Sequence, residues 1–303
     1  MDIQKGLIHK TLVIGIILLF VFMGINSSIA VNNIKKSPTP TFDGNILYVG
    51  GSGERNYSKI QNAINDASDG DTVFVYDDSS PYKENVIVDK SIKLLGENRN
   101  TTLIKSYGKI IQVNANKVQI SGFTIQQYSI FISNGIFVEA SSSETIISNN
   151  IIQDLRYGII IYSSNNTIYG NFIINNYKGI VLASQNITNS VNNTIYRNEI
   201  AYSKSYSIDL ELSYSNKIYE NNFKRKILRG AHIWWSYDLI HYIKYPHKRN
   251  QWYNNYWDNP RLLPKIIKGE LIWTLTKFLY FLRPWYQFDW HPAQEPYDIT
   301  IDE

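Results

Sequence analysis

The chain contains no cysteine, and its only two methionines, Met1 and Met23, fall within the first thirty residues. No disulfide can hold the remainder together, and it offers no thiolate or thioether to a soft metal such as Cu(I). Charge is sparse as well. Thirty basic residues face 26 acidic ones for a net charge of +4, and the basic residues are dispersed apart from Lys224-Arg225-Lys226. Without a sustained basic stripe, nucleic acid is not expected as a partner. Long apolar runs are missing too. The one from Thr11 to Gly24 falls short of the ~20 residues that span a bilayer as a helix. It follows Lys5, His9 and Lys10 and precedes Ser28-Ile29-Ala30, the order of a secretory leader. Residues 1–30 are therefore expected to be a signal peptide, with a retained N-terminal anchor as the alternative. Residues 31–45, marked by Pro38-Thr39-Pro40, read as a linker. The mature chain is expected to be secreted or at the cell surface, with no membrane span once the leader is cleaved.

What the sequence has in abundance is a repeat. Thr145-Ile-Ile-Ser-Asn149, Thr167-Ile-Tyr-Gly-Asn171, Thr194-Ile-Tyr-Arg-Asn198 and Lys217-Ile-Tyr-Glu-Asn221 align, and Gln119-Ile-Ser-Gly-Phe123 fits with Phe in place of Asn. Their isoleucines, Ile120, Ile146, Ile168, Ile195 and Ile218, are 26, 22, 27 and 23 residues apart. A second pattern follows each: Gly135-Ile-Phe-Val, Gly158-Ile-Ile-Ile, Gly179-Ile-Val-Leu and Ser207-Ile-Asp-Leu. Such strands are too short to bury a face alone, but stacked coils bury one continuous core. A leucine-rich repeat would need a leucine framework and a helix per unit, and a propeller longer blades. The fold expected is all-β, a right-handed parallel β-helix. Ile146, Ile168, Ile195 and Ile218 should form one inward ladder and Ile159, Ile180 and Ile208 another. Asn149, Asn171, Asn198 and Asn221 should stack at a turn and hydrogen-bond along the axis.

An open stack needs covered ends. Residues 46–96 read as an N-terminal cap and first coils, with Ser58 capping a short amphipathic helix through Ala67. Residues 97–225 hold the repeats. Residues 226–303 read as an aromatic C-terminal cap, in which Glu270 to Leu282 suits a helix.

Ser58-Lys-Ile-Gln-Asn-Ala-Ile through Asp69-Gly-Asp-Thr-Val, then Glu84-Asn-Val and Ser91-Ile-Lys-Leu-Leu-Gly96, resembles the opening of two related groups. One is the pectin methylesterases. The other is the NosD-like family of exported, pectin-lyase-like β-helix proteins, whose type member is a periplasmic accessory to copper-site assembly. The Asn-rich coils, Asn254-Asn-Tyr-Trp-Asp258 and Phe288-Asp-Trp-His-Pro292 resemble the NosD-like group over about Ile46 to Tyr297. Leu282-Arg283-Pro284-Trp285 mimics an esterase motif without its glycine, and the esterase aspartate motif is absent.

Several residues are candidates for chemistry. In Ser207-Ile-Asp-Leu-Glu211, alternation places Asp209 and Glu211 outward on one face, about 7 Å apart along the strand. That spacing suits the two acids of an inverting glycosidase, and it equally suits a solvated strand face. Ile147, Tyr169, Tyr196 and Tyr219 occupy one outward position, a strip that would bind sugar rings or simply pack neighbouring coils. The resemblance brings copper into view. No cofactor is expected from the residues themselves, but a Cu(II) or Zn site from His232, His241 and His247, with His291 as a further imidazole, is the alternative to a purely packed aromatic cap. Asn56, Asn100, Asn165, Asn186 and Asn192 head N-glycosylation acceptor patterns. The leading reading is a non-catalytic exported β-helix protein that binds surface polysaccharide or cell-envelope components. A polysaccharide hydrolase or lyase and a copper-maturation accessory are the alternatives.

Overall fold

A computed structural model describes residues 44–128, 133–185, 189–224, 231–236, 249–276 and 279–299. The leader, most of the linker, Asn186, His241 and His247 lie outside the described residues. The described residues begin with β1 (Ile46–Val49), α1 (Ile60–Asp66), β2 (Thr72–Val75), β3 (Val86–Val88) and β4 (Lys93–Gly96). A coil of three strands follows, β5 (Leu103–Ser106), β6 (Gly108–Val113) and β7 (Gln119–Ser121), and then β8 (Thr124–Gln127) and β9 (Ser133–Val138). The regular repeats supply β10 (Ile146–Ser148), β11 (Ile151–Gln153) and β12 (Tyr157–Ile161), then β13 (Thr167–Tyr169), β14 (Phe172–Ile174) and β15 (Lys178–Leu182). The next are β16 (Thr194–Tyr196), β17 (Glu199–Ala201) and β18 (Tyr206–Glu211), then β19 (Lys217–Tyr219), β20 (Asn222–Lys224) and β21 (Ala231–Ser236). β22 (Gln251–Tyr253), β23 (Lys265–Thr276) and β24 (Leu279–Asp289) end the chain. Each repeat strand pairs in parallel with its counterpart one coil away, giving an 18-stranded and a six-stranded sheet around one core. This is the parallel β-helix, with about seven turns.

The inward ladder is Ile120, Ile147, Ile168, Ile195 and Ile218, paired in register and fully buried. Ile147, not Ile146, is the member from β10. The expected alignment was therefore one residue out in that unit, and a slip of one moves every side chain to the opposite face. The second ladder, Ile159, Ile180 and Ile208, is in place and continues back to Ile136 and Ile111. The repeat glycines beside it have a steric reason. A Cβ on Gly158 would lie 2.6 Å from the carbonyl oxygen of Gly179, and one on Gly179 would lie 2.4 Å from that of Ser207.

The asparagine stack is real but buried, and it likewise begins at Asn150 rather than Asn149. Asn150, Asn171, Asn198 and Asn221 each donate from Nδ2 to the Oδ1 of the next coil's asparagine, the last of them Asn255, at 2.9–3.2 Å. Each coil turns on a residue of positive φ just before its ladder asparagine: Asn149, Gly170, Arg197, Glu220 and Asn254. At the far end Asp289 Oδ2 accepts from Asn255 N, Asn255 Nδ2 and Trp257 Nε1, each at 3.0 Å. A terminal acceptor has no further coil to donate to, which suits a carboxylate there. A second buried stack runs through Asn166, Asn193, Asn216 and Asn250.

The ends differ from expectation in two details. No side chain of its own caps α1, and Ser58 is not its cap. Instead the Glu84 carboxylate, 23 residues or more along the chain, accepts from Ile60 N at 2.9 Å and Gln61 N at 3.0 Å. It satisfies two of the free N–H groups of the first turn. Glu84→Ala should cost about 1 kcal/mol by analogy with loss of a cap, read as loosened hydrogen exchange confined to α1 and β1. The segment from Glu270 to Leu282 is not helical: β23 and β24 form an antiparallel pair. Its β-branched and aromatic residues favour strands over a helix. The coils also run past residue 225, since β21 stacks on β18 and β22 on β19. Trp252 and Trp257 then close the core, Trp257 lying 4.2 Å from Phe223 ring to ring. Among the described residues no helix is long and apolar enough to cross a membrane.

Candidate functional site

The outer face of β9, β12, β15, β18 and β21 follows from the second repeat. The residue before each repeat glycine, or before Ser207 in its place, points outward, so Asn134, Tyr157, Lys178 and Tyr206 form one column in register. The next outward column is Phe137, Ile160, Val181, Asp209, His232 and Lys268. Asp209 thus stands where the coils before it carry apolar side chains, which pack into a small outer cluster with Tyr157 and Tyr162. It is 2% exposed. Burial of a lone carboxylate is costly, and the Lys178 ammonium and a His232 ring nitrogen supply what water would have given. Lys178 Nζ lies 2.5 Å from Asp209 Oδ2, and His232 Nδ1 donates to Asp209 Oδ1 at 3.0 Å.

Glu211 points outward beside Asp209, as alternation required, and accepts from the same Lys178 Nζ at 3.0 Å. Burial alone would raise the Asp209 carboxyl, but the hydrogen bonds and charges of His232 and Lys178 outweigh it and hold it below the usual carboxylate range. Burial would pull Lys178 down, and Asp209 and Glu211 push it up by more. Tyr206 stacks on the His232 ring at 4.5 Å, and Lys178 sits 5.6 Å from the Tyr157 centroid and 6.0 Å from that of Tyr206. The position equivalent to Glu211 carries Ala183, Tyr162 and Glu139 on the preceding coils. Glu139 is bound by Lys109 at 2.7 Å.

The chemistry open to this cluster is narrow. The two bonded oxygens of Asp209 and Glu211 are no farther apart than two N–O distances laid end to end, short of the ~6.5–9.5 Å of inverting glycosidases. A general acid would also need a carboxyl raised toward neutrality, the opposite of Asp209. Lys178 and His232, which decide this, were not among the sequence candidates as partners of Asp209. The column of residues before the repeat glycines carried the signal for Lys178.

The tyrosine row runs Tyr169, Tyr196, Tyr219 and Tyr253, with Ser148 in the place assigned to Ile147, which faces the core. Ring centroids are 5.1, 5.2 and 4.8 Å apart and nearly parallel. Their faces are spent on each other, leaving mainly edges outward, and burial pushes the Tyr196 and Tyr219 hydroxyls up to about 12. Of the acceptor asparagines, Asn100, Asn165 and Asn192 are exposed, while Asn56 donates to the Gly50 carbonyl. His291 is exposed, and no group of three or more His, Cys, Asp or Glu is placed to hold a metal among the described residues.

Three solved structures are similar at low identity. ORF18 of Geobacillus virus E2 is 13% identical, over 58% of this chain and 44% of that one, with a TM-score of 0.41. A pectin methylesterase in complex with a hexasaccharide is 13% identical over 62% and 70%, at 0.46. An alginate lyase from Paenibacillus sp. str. FPU-7 is 13% identical over 63% and 76%, at 0.39. The chain thus spans less than half the length of the viral protein. Comparison with curated proteins gives no match. The sequence profile of one family, described as periplasmic copper-binding protein (NosD), matches residues 64–277, well over half of the chain. With its regular coils and their ladders in that span, the protein belongs to the NosD family of periplasmic β-helix proteins.

Proposed function

We propose that the protein is an exported, non-catalytic β-helix that binds polysaccharide of the cell envelope along the outer face of β12, β15 and β18. One arrangement carries the reading. Lys178 binds both acids of the face and is itself flanked in register by Tyr157 and Tyr206, so the surface offers aromatic contacts beside acids that are held by a cation. Partly exposed aromatic side chains suit the C–H faces of sugar rings. The hydrolase or lyase alternative would have to free Asp209 from Lys178 and His232 first.

The family's description names copper, and the described residues do not fit a Cu(I) site, for they hold no sulfur ligand. Asp209 orients His232 as a carboxylate orients a metal-bound imidazole, but among the described residues no group of three or more His, Cys, Asp or Glu is placed to hold a metal there.

A glycan array probed with the mature chain tests the proposal. Retention on envelope polysaccharide should fall at least tenfold for Tyr157→Ala with Tyr162→Ala, and should be unchanged for Tyr196→Phe, which keeps the stack. Unchanged retention in the double variant, or oligosaccharide products released by the unmodified chain, would refute it.

A further inference from the structure

The six-stranded sheet carries a groove on its outward side, away from the Lys178 cluster. Its volume is about 420 Å³, within the ~300–1,000 Å³ of small-molecule sites. Strands β5, β8 and β11 of three successive coils form the floor, and the Ser80-Pro81 turn and the Asn100-Thr101 corner form the walls. The walls are fixed from behind. Ser80 Oγ accepts from Leu103 N at 3.0 Å, Thr101 Oγ1 donates to Asp77 at 2.5 Å, and Thr124 Oγ1 donates to the Arg99 carbonyl at 2.5 Å.

Every side chain lining the groove is uncharged. The charges joined to the lining by register or hydrogen bond are Lys105, paired with Gln126, Asp154, which accepts from Gln126 Nε2 at 3.1 Å, and Asp77, which accepts from Thr101. Lys105 is opposed by both carboxylates, so the groove does not favour an anion. On the floor, Gln126 and Gln153 are register partners on adjacent coils, ~4.8 Å apart. An amide presents donors and an acceptor side by side, which matches hydroxyl groups that both donate and accept. Leu103 and Ile151, half-buried in the same groove, present apolar surface beside them. Amides alternating with aliphatic side chains, without charge, suit a ligand that is hydroxyl-rich at its rim and apolar on its C–H face.

We infer that this groove binds an uncharged saccharide of one or two rings, held by Gln126, Gln153 and Asn100. The site is separate from the face proposed above, and either can fail alone. Asn100 heads an acceptor pattern, so a glycan attached there would crowd the groove. The full chain should therefore come from a host without N-glycosylation.

Calorimetric titration with neutral gluco-, manno- and galacto-hexasaccharides, and with a hexagalacturonate, tests the inference. At least one neutral hexasaccharide should bind and slow hydrogen exchange in residues 103–106, 124–127 and 151–153. Gln126→Ala with Gln153→Ala should weaken it at least tenfold. Gln153→Glu, which keeps the shape and adds charge, should do the same. Tyr157→Ala with Tyr162→Ala should leave this protection intact. The inference is overturned if no neutral hexasaccharide protects these strands, or if the hexagalacturonate binds more tightly than all of them.

Discussion

Asn198→Ala is expected to open the middle of the β-helix, at about 5 kcal/mol. The Asn198 side chain is fully buried. Its Oδ1 accepts from Asn171 N at 3.1 Å and Asn171 Nδ2 at 2.9 Å, and its Nδ2 donates to the Ile168 and Tyr196 carbonyls and to Asn221 Oδ1, each at 3.0 Å. Alanine strips partners from groups on three coils at once. Each buried group left unpaired costs about 1–3 kcal/mol, part of which an entering water would recover. Because coils contact only their neighbours, the damage should be local in origin. Hydrogen exchange should quicken in β13, β16 and β19 well before β2 and β4. Asn198→Asp keeps the acceptor but sets a carboxylate against two carbonyls and another side-chain oxygen, so it should be no milder. Asn165→Gly is the contrast: Asn165 is exposed at φ 62°, and glycine adopts that region freely. Equal protection in the Asn198 and Asn165 variants would remove the ladder as a source of stability.

Much of this ladder was legible, because a coil that must turn at the same place repeats the same residues there. Where it was misread, the cause is local duplication. Ile146-Ile147 and Asn149-Asn150 make two alignments of that unit look alike, and only the pairing of Ile147 with Ile168 decides between them. The tyrosine register was readable for the same reason, but ring orientation was not, since stacking depends on rotamers that spacing does not specify. Contacts between distant segments left less trace. Glu84 capping α1 and His232 reaching Asp209 both join residues more than twenty positions apart, through side chains that follow no repeat. The C-terminal hairpin was misjudged because a short apolar run such as Glu270 to Leu282 carries a weak period, and only its β-branched and aromatic content favours strands.

Asp209→Asn should destabilise the protein by about 3 kcal/mol at pH 7, the lower end for breaking a buried pair, because Lys178 keeps Glu211. For a domain of this size that is roughly 6–12 °C in Tm. The pH dependence gives the effect a signature. The folded Asp209 carboxyl is held below its ordinary value by His232 and Lys178. Its contribution is therefore fully present above the unfolded carboxyl value of ~3.9 and is lost as pH falls through the folded one. Calorimetric melts of the two proteins should differ most at neutral pH and converge in acid. Lys178→Met should cost more, about 3–5 kcal/mol, since it leaves Asp209 buried with His232 alone. It should also move the Asp209 carboxyl upward in an NMR titration, toward the range in which a carboxyl can donate a proton. That variant separates the two readings of the face. If Lys178 only secures a binding surface, its loss lowers stability and leaves polysaccharides intact. If the unmodified chain cleaves polysaccharide, the neutralised acids are not inert, and the non-catalytic reading falls with them.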